Sequence, residues 1–297
     1  MDVLLLIVSL LSCLLVTIFR RNHAKKTQGS IWGITVFNAL VSLVAMLTFL
    51  AWGGLGEISW FSLFLGIAFG IATVMQAIMN LKALETGPMS YTSIFVSLAS
   101  VIPALSGAMF FGEVLGISHI VGVALMLISF VLAVDTQNDE KKMSMKWLCF
   151  CFIMFACTGC IGVIQKVHQS SVYKNELNAF LIVAFFSSFV FSVIQLGFVV
   201  YKNRRCCYIE KNNGKPLIIP LLSIILCGIC TAANNKLNLY LSGVMDSAVF
   251  FPIVNGGGLI LTTLFATIVF KERLSKKQWI GILVGIVSVV FLCNPFS

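Results

Sequence analysis

Charge is what this 297-residue sequence has least of: Asp, Glu, Lys and Arg together make up 10% of it, against about 25% in an ordinary soluble domain. That excludes a water-soluble enzyme and a disordered tail. There are only 3 His and 6 Pro. No phosphate-binding glycine loop or aspartate-rich motif occurs, and no nucleophile has a base at workable spacing. Enzymatic chemistry, a metal and a cofactor are therefore not expected. The ten cysteines do not suggest a secreted disulfide scaffold. What is abundant is apolar: 59% of residues, 25 Phe and 23 Gly among them, with a mean hydropathy of +1.01. The net charge of +9 suggests nucleic acid until the basic residues are placed. They lie in short loops between apolar runs, where they orient a chain in a bilayer. The expected partners are the lipid bilayer and a small-molecule substrate, with no nucleic acid.

A helix needs about 20 mostly apolar residues to cross roughly 30 Å of hydrocarbon. Ten stretches qualify: 3–19, 31–52, 60–84, 88–111, 116–134, 147–167, 177–201, 216–241, 245–270 and 275–293. The fold class is an all-α polytopic membrane protein, since β-barrel alternation is missing. The first run lacks a basic n-region and a small-residue cleavage site, so it reads as a span rather than a signal peptide. Sixteen Lys and Arg fall in loops 1–2, 5–6, 7–8 and 9–10, while only Lys166 and Lys174 lie in the others. This bias puts the odd-numbered loops in the cytoplasm and both termini outside, in a plasma membrane.

The chain also reads twice. MFFGEVLGISHIVGVALMLISFVL at 109–132 matches IVFKERLSKKQWIGILVGIVSVVF at 268–291. At a constant offset of 159, Phe111, Glu113, Leu115, Gly122 and Ser129 face Phe270, Glu272, Leu274, Gly281 and Ser288. Upstream, Gly87-Pro88-Met89-Ser90 resembles Gly243-Val244-Met245-Asp246. Five helices per half is odd, so equivalent segments run in opposite directions. The expectation is two inverted five-helix repeats, residues 1–134 and 147–297, joined by a cytoplasmic linker at 135–146. Inverted repeats are a hallmark of alternating-access carriers with a site near the midplane.

With the order of spans, the duplicated "FGE-L"/"FKERL" element (Phe111-Gly112-Glu113 to Leu115, and Phe270 to Leu274) and the Ala83-Leu84 and Gly87 run, the sequence resembles the EamA-like branch of the drug/metabolite transporter superfamily. The resemblance covers essentially the whole chain. It implies a cavity lined by helices 1–4 and 6–9, with helices 5 and 10 peripheral and a homodimer contact through them. Members of that superfamily are usually drawn with cytoplasmic termini; the loop charges here argue for external ones.

In hydrocarbon a polar side chain needs a partner or a wet cavity. Helix 8 carries Thr231, Asn234, Asn235, Asn238 and Ser242 on one face, and helix 3 carries Thr73, Gln76 and Asn80. Helix 4 offers Ser90, Ser93, Ser97 and Ser100, helix 2 offers Thr35, Asn38 and Ser42, and helix 7 offers Ser188, Ser192 and Gln195. Asn255 and the following three glycines are expected to interrupt helix 9 near its middle, the glycines permitting close approach or local unwinding. These stripes line a polar cavity, or they hold helices together by interhelical hydrogen bonds. Tyr91 and Tyr240 are placed near the cavity mouths.

Intramembrane charges are Lys82, Glu85 and Lys236, the two lysines at nearly equivalent places in the halves. They serve an anionic or zwitterionic solute, or they snorkel to the interface. Helix 1 lacks the buried acid with which small multidrug transporters of the superfamily couple protons to cations, so a drug or cation exporter is the runner-up. A sugar-phosphate or nucleotide-sugar carrier and an integral membrane enzyme rank below it. Glu113 and Glu272 are expected to cap the last helix of each half. The pairs Cys157/Cys160 and Cys227/Cys230 read as packing residues, Cys206-Cys207 as exposed or acylated. His23, His119 and His168 read as solvated helix ends, and Gly66-x-x-x-Gly70 and Gly281-x-x-x-Gly285 as packing motifs, the second able to form a dimer contact. The substrate-binding candidates are Asn38, Gln76, Asn80, Tyr91, Asn234, Asn235, Asn238, Tyr240 and Asn255, with Lys82 and Lys236. The expected function is secondary active transport of a small polar metabolite such as an amino acid.

Overall fold

The computed structural model describes residues 2–26, 31–87, 89–113, 116–133, 144–202, 218–269 and 275–292. Among these residues every regular element is helical: α1 (Asp2–Lys26), α2 (Ile31–Gly53), α3 (Trp60–Thr86), α4 (Met89–Leu98), α5 (Val101–Phe110), α6 (Ile117–Ala133), α7 (Met145–Gln169), α8 (Leu177–Lys202), α9 (Ile218–Val244), α10 (Ser247–Val269) and α11 (Lys276–Leu292), with a 3-10 turn at Lys174–Glu176. The second "FKERL" copy with Glu272, the basic residues Lys141, Lys142, Arg204, Arg205, Lys211, Lys215, Lys271 and Arg273, and Cys206-Cys207 lie outside the described residues.

Stretches of α1, α2, α3, α7, α8 and α10 are long and apolar enough to cross a membrane. The 27 residues of α9 reach about 40 Å at 1.5 Å per residue, but Asn234, Asn235, Lys236 and Asn238 interrupt its apolar character. The stretch expected as one span at 88–111 is two helices. Pro103, in the first turn of α5, has no N–H to continue a ladder from α4. The chain bridges the gap with tighter bonds instead: Ala99 N–H to Val96 O, Ser100 N–H to Ser97 O and Ile102 N–H to Ala99 O.

A second correction concerns the glycines after Asn255. α10 runs without a break through Gly256, Gly257 and Gly258. A Cβ at Gly256 would overlap the Sδ of Met126 on α6. There the missing side chain buys close approach between helices, not unwinding.

Contacts divide the chain into two compact units, neither a single stretch of sequence. The first comprises Met1–Leu11, Met75–Lys174 and Leu237–Ser297, the second Ser12–Val74 and Asn175–Lys236. In the first unit α6 packs along α11, and α10 packs on α5, α6 and α11. Its apolar core gathers Leu6, Met126, Phe130, Leu241, Phe250, Phe251, Ile253, Val254 and Leu292. α6 and α11 run antiparallel and exchange two equal hydrogen bonds. Ser129 Oγ donates to Gly281 O at 2.7 Å, and Ser288 Oγ donates to Gly122 O at 2.7 Å. These are two of the residue pairs related by 159 in sequence. Gly281 and Gly285 are buried, and a Cβ at Gly285 would crowd Ser129 and Ile260. The Gly281-x-x-x-Gly285 packing motif is used inside the chain.

The N-termini of this helix pair also match. Gly116 N–H points to His119 Nδ1 at 3.3 Å. Ser275 N–H donates to Gln278 Oε1 at 2.9 Å while Gln278 N–H returns to Ser275 Oγ, a capping box. The caps stand at positions 116/119 and 275/278, again 159 apart. His119, not Glu113, therefore serves the N-terminus of α6.

In the second unit α2 lies along α8. Gly66 and Gly70 of α3 receive Ser187 and Ser188 of α8, whose hydroxyls donate to the Gly66 and Gly70 carbonyls. Phe37, Val41, Ile224 and Cys227 form an apolar cluster, and Phe49 packs against Phe185.

Candidate functional site

The polar residues singled out in the sequence divide between the two units. In the first, Asn238 of α9 is half-buried and accepts a hydrogen bond from Ser9 of α1 at 2.5 Å. Gln76, Asn80 and Asn255 are half-buried, while Tyr91 and Tyr240 are exposed. Lys82 is exposed near the end of α3, its ammonium 5.6 Å above the ring of Phe150. In the second unit Asn38 is half-buried on α2, one turn from the buried Thr35 and Ser42. Asn235 spends its amide on Thr231 O in its own helix, and Asn234 is half-buried beside it. Lys236, half-buried, holds its ammonium 5.2 Å above the ring of Trp52, a cation–π distance. The structure thus joins Ser9 to Asn238 and Lys236 to Trp52.

A cavity of about 400 Å³ in the first unit is lined by Ile7, Leu10, Leu11, Gly257, Ile260, Leu261, Ile286, Val289 and Val290. Its wall is aliphatic and includes none of the predicted polar residues.

The most elaborate polar cluster among the described residues was not foreseen. Gly112, with φ +67°, turns the chain after α5. Glu113 N–H returns to Gly107 O, and its carboxylate lies against that glycine, where a Cβ would overlap it. The carboxylate meets the N-terminus of α10. Ser247 N–H donates to Oε2 at 2.7 Å, and Ser247 Oγ donates to Oε1 at 3.0 Å. An anion there is favoured by free amides and the helix dipole. Lys166, in the last turn of α7, places its ammonium 2.5 Å from Glu113 Oε1, with side-chain exposures of 8% and 7% for Lys166 and Glu113. The same ammonium donates to Met245 O. Lys166 was expected as a loop cation and is instead a buried ion-pair partner; the expected cap of α6 by Glu113 is a cap of α10.

Next to it, His168 is fully buried, with Gln165 and Gln169 also buried. Gln169 Nε2 lies 3.1 Å from His168 Nδ1. The reading of His168 as a solvated helix end is thereby corrected. His23 stacks on Phe37 with ring centroids 4.2 Å apart. The sequence signal that could have found the cluster was the duplicated Phe-x-Glu element. Its partners lie 53 to 134 positions away and carry no local signature.

The second unit holds a simpler version of the cap. Glu176 Oε2 accepts from Ser59 N–H at 2.9 Å and from Ser59 Oγ at 2.7 Å, just ahead of α3. Asn178 Nδ2 donates to Phe49 O and Gly54 O.

No family model matches the chain. Over 124 residues it is 27% identical to a WAT1-related protein of Arabidopsis thaliana, a drug/metabolite transporter family member. The match takes in 40% of this chain and 35% of that protein, so the chain aligns with about a third of the relative's length. In fold it is similar to a protein known by its crystal structure, at 14% identity and a TM-score of 0.75, across 98% of this chain and 96% of that one. The partial match points the same way as the resemblance drawn from the sequence, and the long apolar helices are those of a multi-pass membrane protein.

Proposed function

We propose that the chain is a secondary active transporter that moves a small anionic or zwitterionic metabolite, such as an amino acid, by alternating access between two inverted five-helix halves. The observation that carries this reading is the α6–α11 pair. Two antiparallel helices whose Ser129–Gly281 and Ser288–Gly122 bonds interchange under the 159-residue offset are what a pseudo-twofold axis in the membrane plane would produce. The matched caps at Gly116/His119 and Ser275/Gln278 support it from the same register. In this reading α4 and α5 together make one span, ten in all. The termini lie outside, in the plasma membrane, and a homodimer would use the outer faces of α6 and α11.

Substrate class follows from charge. Lys236 stands half-buried eight residues before the end of α9, where a charge in hydrocarbon is costly, and the contact described for its ammonium is the Trp52 ring. Lys82 likewise lies over a ring. Cations held on aromatic faces are ready for a carboxylate or similar anion, an arrangement that disfavours lipophilic cations. Asn38, Gln76, Asn80, Asn234, Asn235, Asn238 and Asn255 supply hydrogen bonds, with Tyr91 and Tyr240 toward the mouths.

The test is uptake into proteoliposomes of radiolabelled amino acids, small carboxylates and a lipophilic cation. Uptake of an acid or amino acid, abolished in Asn234→Ala and Asn238→Ala at unchanged expression, is the expected outcome. Normal uptake in both variants would remove the site assignment. Uptake of the cation alone would replace the substrate class.

A further inference from the structure

We infer that the Glu113–Lys166–Ser247 cluster is a gate latch: it closes one membrane face of the carrier in the state seen here and must part for that face to open. The inference rests on the transporter reading above and adds the part that moves.

The latch ties three separate chain ends. Glu113 follows α5, Lys166 sits in the last turn of α7, and Met245 and Ser247 mark the turn from α9 into α10. Each contact is polar and lies at or near a helix terminus, on helices that also pack on one another, α5 against α7 and α10. Every charge is answered only in this arrangement. The carboxylate takes the amide, the hydroxyl and the ammonium, and the ammonium takes the carboxylate and the Met245 carbonyl. Gly107 leaves room for the carboxylate and nothing larger.

Stability alone does not call for such a pair. Replacing a buried ion pair with well-packed neutral groups is often neutral or stabilising, and the best-attested use of one is in registry and switching. Charged hydrogen bonds also fall off steeply with distance and angle. The latch is therefore either made or released, as a gate between two discrete states requires. The α6–α11 contact, in contrast, is held by apolar packing and two neutral Ser–Gly hydrogen bonds and suits a joint that stays closed through the cycle. Three connections that sequence order assigns to one membrane face, after α5, after α7 and after α9, are the ones the latch gathers. In the proposed topology that is the external face.

The experiment is hydrogen–deuterium exchange on the full chain in lipid nanodiscs. It compares wild type with the neutral double variant Glu113→Gln/Lys166→Met, which keeps an acceptor for Ser247 and the bulk of both side chains. The expected result is exchange at least tenfold faster in peptides covering 107–113, 163–169 and 245–250, with peptides of α6 and α11 unchanged and the melting temperature close to wild type. Unchanged exchange in the three segments would overturn the latch. So would equal acceleration in α6 and α11, because the cluster would then be a structural brace. If the double variant does not fold, Ser247→Ala, which keeps the backbone amide, is read the same way with a smaller acceleration. Uptake by wild type separates the two ideas. Transport with no change in exchange removes the latch alone. Coupled opening of the three segments without transport of any solute tested removes the proposed function and leaves the gate.

Discussion

Two glutamates in this protein cap a partner helix with the same chemistry and in different surroundings. Glu113 accepts from the amide and hydroxyl of Ser247 ahead of α10, and Glu176 accepts from the amide and hydroxyl of Ser59 ahead of α3. Both residues are half-buried as a whole; the side chain of Glu113 is 7% exposed and carries Lys166 at 2.5 Å. A helix N-terminus satisfies a carboxylate that still touches solvent. Remove the solvent and the residual charge needs a full counter-charge, because desolvation of an ion costs several kcal/mol. At Glu113 the cap is thus one half of a two-charge lock.

The sharpest way to break this comparison is Gly107→Leu. A side chain there occupies the carboxylate's place and strands Lys166, at an expected cost of about 3–5 kcal/mol. Thermal melting in detergent checks it, and an equivalent insertion near Glu176 is expected to be milder. Next comes Lys166→Met alone, which leaves an uncompensated buried carboxylate; Glu113→Gln/Lys166→Met should recover most of the lost melting temperature. Glu176→Gln should lose only about 1 kcal/mol, the ordinary worth of a cap. If Lys166→Met and Glu176→Gln melt alike, burial does not distinguish the two glutamates.

Smaller effects probe the neutral joint. Ser129→Ala and Ser288→Ala should each cost about 0.6 kcal/mol, the mean for interhelical hydrogen bonds in membranes, and on the proposed pseudo-twofold relation should match one another. Unequal losses would count against the pseudo-twofold relation. Lys236→Met should change stability least, by roughly 0.5–1 kcal/mol for the lost cation–π contact, while ending uptake of anionic solutes in the proteoliposome assay. Unaffected uptake would move the substrate contact away from Lys236.

Much of the helical layout was legible because hydropathy is a local property. Runs such as 31–52 and 177–201 need no knowledge of their neighbours to be read as helices. The positional match was legible too: Gly122 and Ser129 stand 159 residues before Gly281 and Ser288, and Ser129 bonds to Gly281 and Ser288 to Gly122. Where expectation and structure part, the deciding contact was remote. Pro103 sits in an apolar run that hydropathy reads as one span, yet its missing amide divides α4 from α5. Gly256 looks like a helix breaker until Met126 is seen filling the space beside it. His168 and Lys166 stand near a helix end, where solvation is the default, and packing buries both.

The amino-acid sequence by itself determined that the chain is helical, that its helices suit a membrane and that 109–132 and 268–291 share a residue pattern. Those properties follow from composition and from periodicities spanning a few turns. Only the tertiary structure decided which small residues face each other, that Gly281 and Gly285 serve the chain's own packing, and that Glu113 finds Lys166 and Ser247. A buried charge selects its partner by proximity in space within a medium that screens poorly, and proximity between residues 53 and 134 positions apart is a product of folding.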